Sequence, residues 1–159
     1  DRDNVMTAID AYADYERLGD QVVIVGGGEI GMETAIFLAQ KGKNVTVLEM
    51  RRLLAMDSTP IHYYSMFREE WEKYTNIQGI VNATVQEICD DSVSYRDKDG
   101  AVHHVPASGV VLAAGMHANR EEAMSLFVPG IKCTLVGDCN KVGNLQKLNR
   151  NAYGVTSAT

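Results

Sequence analysis

Gly26, Gly28 and Gly31 form a Gly-x-Gly-x-x-Gly motif directly after the apolar run Val22–Val25, which is the spacing of a phosphate-binding loop. In such a loop the first glycine permits a tight turn, the second lets the backbone approach a pyrophosphate, and the third lets helix and strand pack closely. The N–H groups that begin the following helix then bind the anion. We therefore predict a bound dinucleotide cofactor. The loop residues predicted to contact it are Gly26, Gly27, Gly28, Glu29, Ile30 and Gly31.

An acidic residue follows at the spacing that dinucleotide sites use. Glu49 stands 18 residues beyond Gly31, where its carboxylate can accept hydrogen bonds from the adenosine ribose hydroxyls. Because a carboxylate there repels a 2′-phosphate, we predict a preference for NADH over NADPH. Arg51 and Arg52 leave two interpretations open, since they are either guanidinium partners for such a phosphate or solvated loop charges. Met50 and Arg51 complete the predicted cofactor contacts around the acid.

Strands and helices that must position these residues alternate along the chain. A β-branched strand at Val22–Val25, a helix at Met32–Lys41 and a strand at Asn44–Glu49 surround the motif. The apolar spacing also predicts helices over 3–18, 58–74 and 119–127, and strands over 77–81, 84–89, 92–96, 101–105, 110–114 and 134–136. This order indicates an α/β, Rossmann-like FAD/NAD(P)-binding domain, with a parallel sheet and an inserted antiparallel β-meander.

Composition and the remaining reactive side chains exclude other classes of function. The 159 residues carry a net charge of −6, which argues against nucleic acid as a partner. No apolar run approaches the ~20 residues needed to cross a bilayer. Three cysteines that are never spaced as Cys-x-x-Cys favour a reducing cytoplasm. The adjacent His103 and His104 would point to opposite faces of a strand, and we predict no metal site and no catalytic acid, base or nucleophile in this chain.

Three segments carry a resemblance to a known family: VVIVGGGEIGMETAIFLAQKGKNVTVLEM, VVLAAG and TLVGDC, which together span residues 22–139. They resemble the C-terminal, NAD(H)-binding region of the NADH:flavin oxidoreductases, which include 2-enoate reductase, 2,4-dienoyl-CoA reductase and trimethylamine dehydrogenase. In that family an N-terminal barrel carries FMN and an iron–sulfur cluster, and the NADH domain is inserted into an FAD domain. The resemblance therefore implies that FAD, FMN and the cluster belong to a longer parent protein and are not held by this fragment alone.

The same resemblance implies roles for individual residues. Val85 would lie near the adenine, Ala114 and Gly115 would form a second close approach of the chain to the cofactor, and Glu33 would face the nicotinamide end. Asp138, in the final Gly-Asp, would bind the ribityl chain of FAD in the parent protein.

The expected organisation is an NAD(H)-binding domain over residues 1–128 and a return segment over residues 129–159. That segment belongs to the flavin domain of the same polypeptide in the family, and it could complete the sheet here. The expected function of this excised piece is to deliver hydride from NADH to a flavin on the neighbouring domain. The main alternative is a static ADP- or NAD-binding regulatory module without electron transfer. A methyltransferase is less favoured because the third glycine, the meander and the terminal Gly-Asp speak against it. A free-standing dehydrogenase is less favoured because little chain is left for a substrate pocket.

Overall fold

The computed structural model describes residues 3–56, 58, 61–143 and 145–157. The described strands are β1 (Val5–Thr7), β2 (Gln21–Val25), β3 (Asn44–Glu49), β4 (Ile77–Val81), β5 (Thr84–Ile88), β6 (Ser92–Arg96), β7 (Val102–Pro106) and β8 (Gly109–Leu112). The described α-helices are α1 (Ala8–Asp14), α2 (Glu29–Gln40), α3 (Ile61–Trp71), α4 (Arg120–Ser125) and α5 (Leu145–Ser157). The chain forms two compact units, of which the first ends at Gly115 and the second begins at Met116.

A five-stranded parallel sheet forms the centre of the first unit. Its strand order is β1-β8-β2-β3-β4, and every neighbouring pair is parallel. Strand β2 lies in the middle and is buried on both faces: Ile24 packs among α2 residues such as Leu38, whereas Val23 packs on the opposite face. Such double burial explains why this strand is a continuous apolar run in the sequence. The predicted α/β class and the parallel sheet are confirmed.

A second sheet of three antiparallel strands, in the order β5-β6-β7, covers the other face of the parallel sheet. It connects β4 to β8 along the chain. Val93 of β6 belongs to one apolar cluster with Val23, Leu48 and Val110 of the parallel sheet. The inserted β-meander is therefore confirmed, and its function in the fold is to exclude water from the face that the helices leave open.

The amino-terminal segment differs from the helix predicted over residues 3–18. Val5–Thr7 forms the edge strand β1, which pairs in parallel with Val110–Leu112. Helix α1 begins only at Ala8, where a capping box fixes its start. The Thr7 hydroxyl accepts a hydrogen bond from the Asp10 backbone N–H at 3.3 Å and donates one to the Asp10 carboxylate at 2.6 Å. The prediction was wrong for residues 5–7, where pairing with a distant strand overrides the local apolar spacing. It is confirmed for residues 8–18, which form α1 and a following 3₁₀ helix.

In the second unit, residues 134–136 do not form the predicted strand. The Val136 backbone is extended, with φ −134° and ψ 158°. No strand among the described residues pairs with it, however. A strand satisfies its backbone N–H and C=O groups only through a hydrogen-bonded neighbour, so an extended sequence alone is not sufficient. The described part of this unit contains α4, a 3₁₀ turn at Gly137–Cys139 and α5.

Replacement of Gly31 by alanine tests how closely α2 packs against the glycine loop. An alanine Cβ would overlap the carbonyl oxygen of Gly26, a backbone atom that cannot rotate away. We expect Gly31→Ala to lower the free energy of unfolding by about 3 kcal/mol, as measured by urea denaturation. Gly28→Ala is the matched control, because the nearest non-neighbouring atom of the described residues is 3.8 Å from its added Cβ. The control should cost no more than about 1 kcal/mol, and equal stability of the two variants would contradict this packing.

Candidate functional site

A cavity of about 450 Å³ lies at the carboxyl ends of β2, β3 and β8. In open parallel α/β sheets, ligands bind in the crevice outside these strand ends. The predicted cofactor contacts that line the cavity are Gly26, Gly28, Glu49, Met50, Arg51, Val85, Ala114 and Gly115. The lining residues that the sequence did not indicate are Val25, Leu48, Ala83, Thr84 and Ala113. The fold thus brings eight separately predicted residues to one crevice.

The first and third glycines of the motif have structural roles. Gly26 has a φ of +104°, in the left-handed region that favours glycine, and an added Cβ would lie 2.5 Å from the carbonyl oxygen of Ala113. Gly31 is buried in the first turn of α2, directly against the Gly26 carbonyl. The tight turn and the close packing that the motif predicts are therefore both present.

Gly28 has no such structural reason to be glycine. Its backbone, with φ −70° and ψ −172°, is accessible to any residue, and Arg51 Nη2 is the nearest atom to an added Cβ, at 3.8 Å. Gly28 is also the N-cap of α2 and, as a glycine, has no side chain to cap this helix. The first N–H groups of a helix have no partner within the helix. Among the described residues, open space and N–H groups without a partner inside the helix therefore coincide at the cavity wall, an arrangement that suits a phosphate group.

Glu49 is buried, with 3% of its surface exposed. Its Oε2 accepts a hydrogen bond from the Gly27 backbone N–H at 2.7 Å. Its Oε1 accepts two from Arg51, one from the backbone N–H at 2.8 Å and one from Nε at 3.0 Å. A carboxylate has about four acceptor positions, so these bonds from described residues leave about one position for a ribose hydroxyl. Glu49 therefore holds the glycine loop in place through its hydrogen bond to Gly27. The spacing of this acid in the sequence did not predict that structural role.

The loop after β3 folds back under the glycine loop. Ala55 adopts a φ of 48°, and its backbone N–H donates to the Gly27 carbonyl at 2.7 Å. The Leu54 side chain fills the space beneath, because a Cβ at Gly27 would lie 2.7 Å from Leu54 Cδ2 and a Cβ at Gly79 would overlap Leu54 Cδ1. Both backbone polar groups of Gly27 are consequently fixed by the β3 side of the sheet. An alanine carries no sequence signal for this turn, so sequence reasoning could not find it.

Ala83 and Thr84 reach the cavity because the pairing of β3 and β4 continues beyond the ends of both strands. The Asn82 N–H donates to the Arg51 carbonyl and the Ala83 N–H to the Glu49 carbonyl, each at 2.9 Å. Asn82 then turns the chain, with a φ of 53°. Asparagine tolerates the left-handed region, so a turn after residue 81 was readable from the sequence. The sequence did not indicate which strand would lie beside this turn.

The predicted contacts outside the cavity lining lie on the glycine loop and the start of α2. Gly27 and Gly31 are buried, Glu29 is half-buried, Ile30 is exposed, and Glu33 is exposed further along the helix. Any contact of these residues with a cofactor stays a prediction.

Asp138 belongs to the second unit. It lies in the 3₁₀ turn Gly137–Cys139, is exposed, and accepts a hydrogen bond from the Gly143 N–H at 3.1 Å. Its predicted role in flavin binding stays a prediction.

The histidines of β7 lie away from the cavity lining. His103 Nε2 is 2.6 Å from Asp97 Oδ2, and its ring stacks on Tyr95. This hydrogen bond lowers the pKa of the Asp97 carboxyl, with help from the backbone N–H groups of Ala101 and Asp99. Within residues 3–56, 58, 61–143 and 145–157, no cluster of three or more His, Cys, Asp or Glu could hold a metal ion.

In the same part of the chain, no helix has the length and apolar character needed to span a membrane.

Fold and cavity together define a Rossmann-like FAD/NAD(P)-binding domain with a cofactor crevice at the carboxyl edge of a parallel sheet. The family model described as pyridine nucleotide-disulphide oxidoreductase matches residues 2–139. The chain therefore belongs to the pyridine nucleotide-disulphide oxidoreductase family. Membership in this family implies that the domain binds a nicotinamide dinucleotide and is part of a redox enzyme.

Individual relatives are similar over most of this chain. Bilirubin reductase from Mediterraneibacter gnavus is 36% identical over 121 residues, which cover 76% of the chain. NADH oxidase from Thermoanaerobacter brockii is 34% identical over 127 residues, which cover 79% of it. The matches span only 18% and 19% of the length of these two relatives. The solved structure of 2-naphthoyl-CoA reductase in complex with 2-naphthoyl-CoA superposes with a TM-score of 0.83 and 32% identity, over 94% of this chain and 22% of that one.

Truncation of Glu49 tests its role as a clamp. Glu49→Ala leaves the Gly27 N–H without its partner in the protein interior and should lower the free energy of unfolding by about 2 kcal/mol. Urea denaturation followed by circular dichroism measures the loss. Glu72→Ala, which removes an exposed ion pair with Arg68, is the matched control and should cost less than about 1 kcal/mol. If Glu49→Ala and Glu72→Ala lowered the free energy of unfolding equally, the Glu49 hydrogen bonds would contribute no more to stability than an exposed ion pair.

Proposed function

We propose that this chain is the NAD(H)-binding domain of a multidomain, flavin-dependent oxidoreductase, and that it delivers hydride from NADH to a flavin on a neighbouring domain. The observation that carries the proposal is the pairing of an open glycine with a buried acid in one cavity. Gly28 is the N-cap of α2, where the first helical N–H groups have no partner within the helix, and Glu49 lies at the end of the adjacent strand β3. One group suits a pyrophosphate and the other suits a ribose, which are the two ends of an ADP unit.

Each part of the cavity would hold one part of the dinucleotide. The N–H groups at Gly28 and the start of α2 would bind the pyrophosphate, and the remaining acceptor position of Glu49 would bind one adenosine ribose hydroxyl. Val85 would contact the adenine, while Ala114 and Gly115 would give the second close approach. The exposed Met50 side chain would complete the adenine side.

Bound NADH would supply the hydride, so the protein need supply only position and orientation. Among the described residues, the sole ionisable side chains in the cavity lining are Glu49 and Arg51, which are bonded to each other. Both are used in holding the loop and not in proton transfer. Glu29, Ile30 and Glu33, on the first turns of α2, would face the rest of the cofactor toward its nicotinamide end.

The parent protein that we propose resembles the 2-enoate and 2,4-dienoyl-CoA reductases. The similarity to 2-naphthoyl-CoA reductase over nearly the whole chain supports this assignment, and so does the small share of that protein that the chain spans. FAD, FMN and an iron–sulfur cluster would then belong to the parent protein, with Asp138 as a flavin ligand. We propose residues 1–128 as the NAD(H) domain and 129–159 as the return segment to the flavin domain.

Loss of binding in Gly28→Val tests the proposed site. NADH should bind the wild-type chain in a calorimetric titration, and Gly28→Val should weaken binding at least about tenfold, because its side chain fills the space that a phosphate needs. The variant should remain folded by circular dichroism, since that space is open. Absence of NADH binding by the folded wild type would refute the proposal. In the parent protein, binding without bleaching of the flavin absorbance would favour the static regulatory module.

The proposed preference for NADH can be measured separately. A 2′-phosphate would approach the buried Glu49 carboxylate, and the attachment of Arg51 Nε to that carboxylate offsets its charge only in part. We expect NADPH to bind at least about tenfold more weakly than NADH, in titrations at one ionic strength. Glu49→Gln removes the charge and keeps the shape of the side chain, so it should reduce the ratio between the dissociation constants of NADPH and NADH. Tighter binding of NADPH than of NADH by the wild type would overturn the preference.

A further inference from the structure

We propose that Leu54 is a positioning residue, whose side chain connects the edge strand β4 to the glycine loop and sets the position of Gly27. Cofactor affinity then depends on a side chain that lies outside the described cavity lining. The proposal rests on the proposed binding of NAD(H) in this cavity.

The Leu54 side chain lies between two glycines that belong to different segments. A Cβ on Gly27, in the loop after β2, would lie 2.7 Å from Leu54 Cδ2. A Cβ on Gly79, in β4, would overlap Leu54 Cδ1, and the three nearest atoms to that position all belong to Leu54. Leu54 is half-buried and packs against the apolar core on the α2 face of the parallel sheet. Neither glycine could therefore gain a side chain without displacing this leucine.

Gly79 shows that this space matters, because nothing in its own backbone requires a glycine. Its φ does not lie in the left-handed region, and it pairs in regular register with Val47 of β3. Gly79 is exposed, and a glycine inside a strand weakens the strand unless another group must come close. Here the group that comes close is the Leu54 side chain.

The turn that follows Leu54 also needs to be held in place. Ala55 is buried and has a φ of 48°, a conformation that costs free energy for a residue other than glycine. Such a residue persists only where the surrounding structure holds it. The packing of Leu54 between Gly27 and Gly79 fixes the residue directly before this turn, and thereby the Ala55 N–H that donates to the Gly27 carbonyl at 2.7 Å.

The position of Gly27 affects both parts of the proposed ligand site. Its N–H donates to Glu49 Oε2 at 2.7 Å, and the next residue, Gly28, is the N-cap of α2. If Gly27 moved, the helix start proposed for the pyrophosphate would move with it. The carboxylate proposed for the ribose would also lose a hydrogen bond that holds it, since such bonds weaken steeply when their geometry is lost. Leu54 would thus act on the cofactor through Gly27.

The experiment compares Leu54→Ala with Ile77→Ala. Ile77 is the matched control, because it is half-buried, packs against the same core and lies at the amino end of β4, whereas the cavity lies at the carboxyl edge of the sheet. Three quantities are measured for each variant: the dissociation constant of NADH by calorimetry, the urea midpoint, and the hydrogen exchange of the Gly27 amide by NMR. The exchange rate shows whether the loop is held, with or without a ligand.

Both alanine variants should lower the urea midpoint to a similar extent, because each removes apolar side-chain atoms from the same core. Leu54→Ala should weaken NADH binding by about tenfold or more and speed the exchange of the Gly27 N–H by about tenfold or more. Ile77→Ala should leave both quantities within about threefold of the wild type. Leu54→Met keeps most of the side-chain volume, so it should also remain within about threefold.

Gly79→Ala tests the same connection from β4. Its Cβ would push Leu54 out of place, so NADH should bind about fivefold more weakly or worse. In the Leu54→Ala background the same substitution should change the affinity by less than about twofold, because the overlapping atoms are gone. If Leu54→Ala does not fold, Leu54→Val, which shortens the side chain, takes its place in both comparisons.

Three results would overturn the proposal. One is an equal effect of Leu54→Ala and Ile77→Ala on NADH affinity, which would make a general loss of stability the cause. Another is unchanged exchange of the Gly27 amide in Leu54→Ala. The third is an equal effect of Gly79→Ala in both backgrounds. Failure of the folded wild type to bind NADH would instead refute the proposed function, and Gly27 exchange alone would then decide whether Leu54 positions the loop.

Discussion

The hydrogen bond between the Glu49 carboxylate and the Gly27 N–H organises this domain. It is 2.7 Å long and buried, and it joins the loop after β2 to the end of β3. The pairing of these two strands brings the residues together. A buried carboxylate is stable only when its oxygens are well bonded, so Gly27 and Arg51 must both be in place around Glu49. The acid that spacing assigns to a ligand is therefore also the group that shapes the site for the ligand.

The glycines of the loop have two different roles. Gly26, Gly27 and Gly31 leave out a side chain because protein atoms occupy the space, whether the Ala113 carbonyl, the Leu54 side chain or the loop's own backbone. Gly28 leaves out a side chain although the nearest non-neighbouring atom of the described residues, Arg51 Nη2, is 3.8 Å from the Cβ position. A Gly-x-Gly-x-x-Gly pattern cannot distinguish these cases, whereas the distances around each Cβ position do. Among the glycines of this loop, Gly28 is consequently the one that indicates a ligand.

The two faces of the parallel sheet depend on different partners. Helices cover one face and the antiparallel meander covers the other, so the central strands are buried twice. This arrangement leaves the carboxyl edge as the place where side chains and loops from several strands can meet a ligand. The cavity is formed at that edge, between the glycine loop, the end of β3 and the turn that leads into the meander.

The sequence by itself determined the features that depend on local pattern: the glycine motif, Glu49 after the second strand, the buried parallel strands and the meander. Only the tertiary structure decided what depends on distant partners. Val5–Thr7 forms a strand because β8 lies beside it. Residues 134–136 form no strand because none of the described strands pairs with them. Ala55 turns beneath Gly27 for the same kind of reason. Spacing along a chain records side-chain periodicity, but hydrogen bonding and burial are settled between segments that the fold alone brings together.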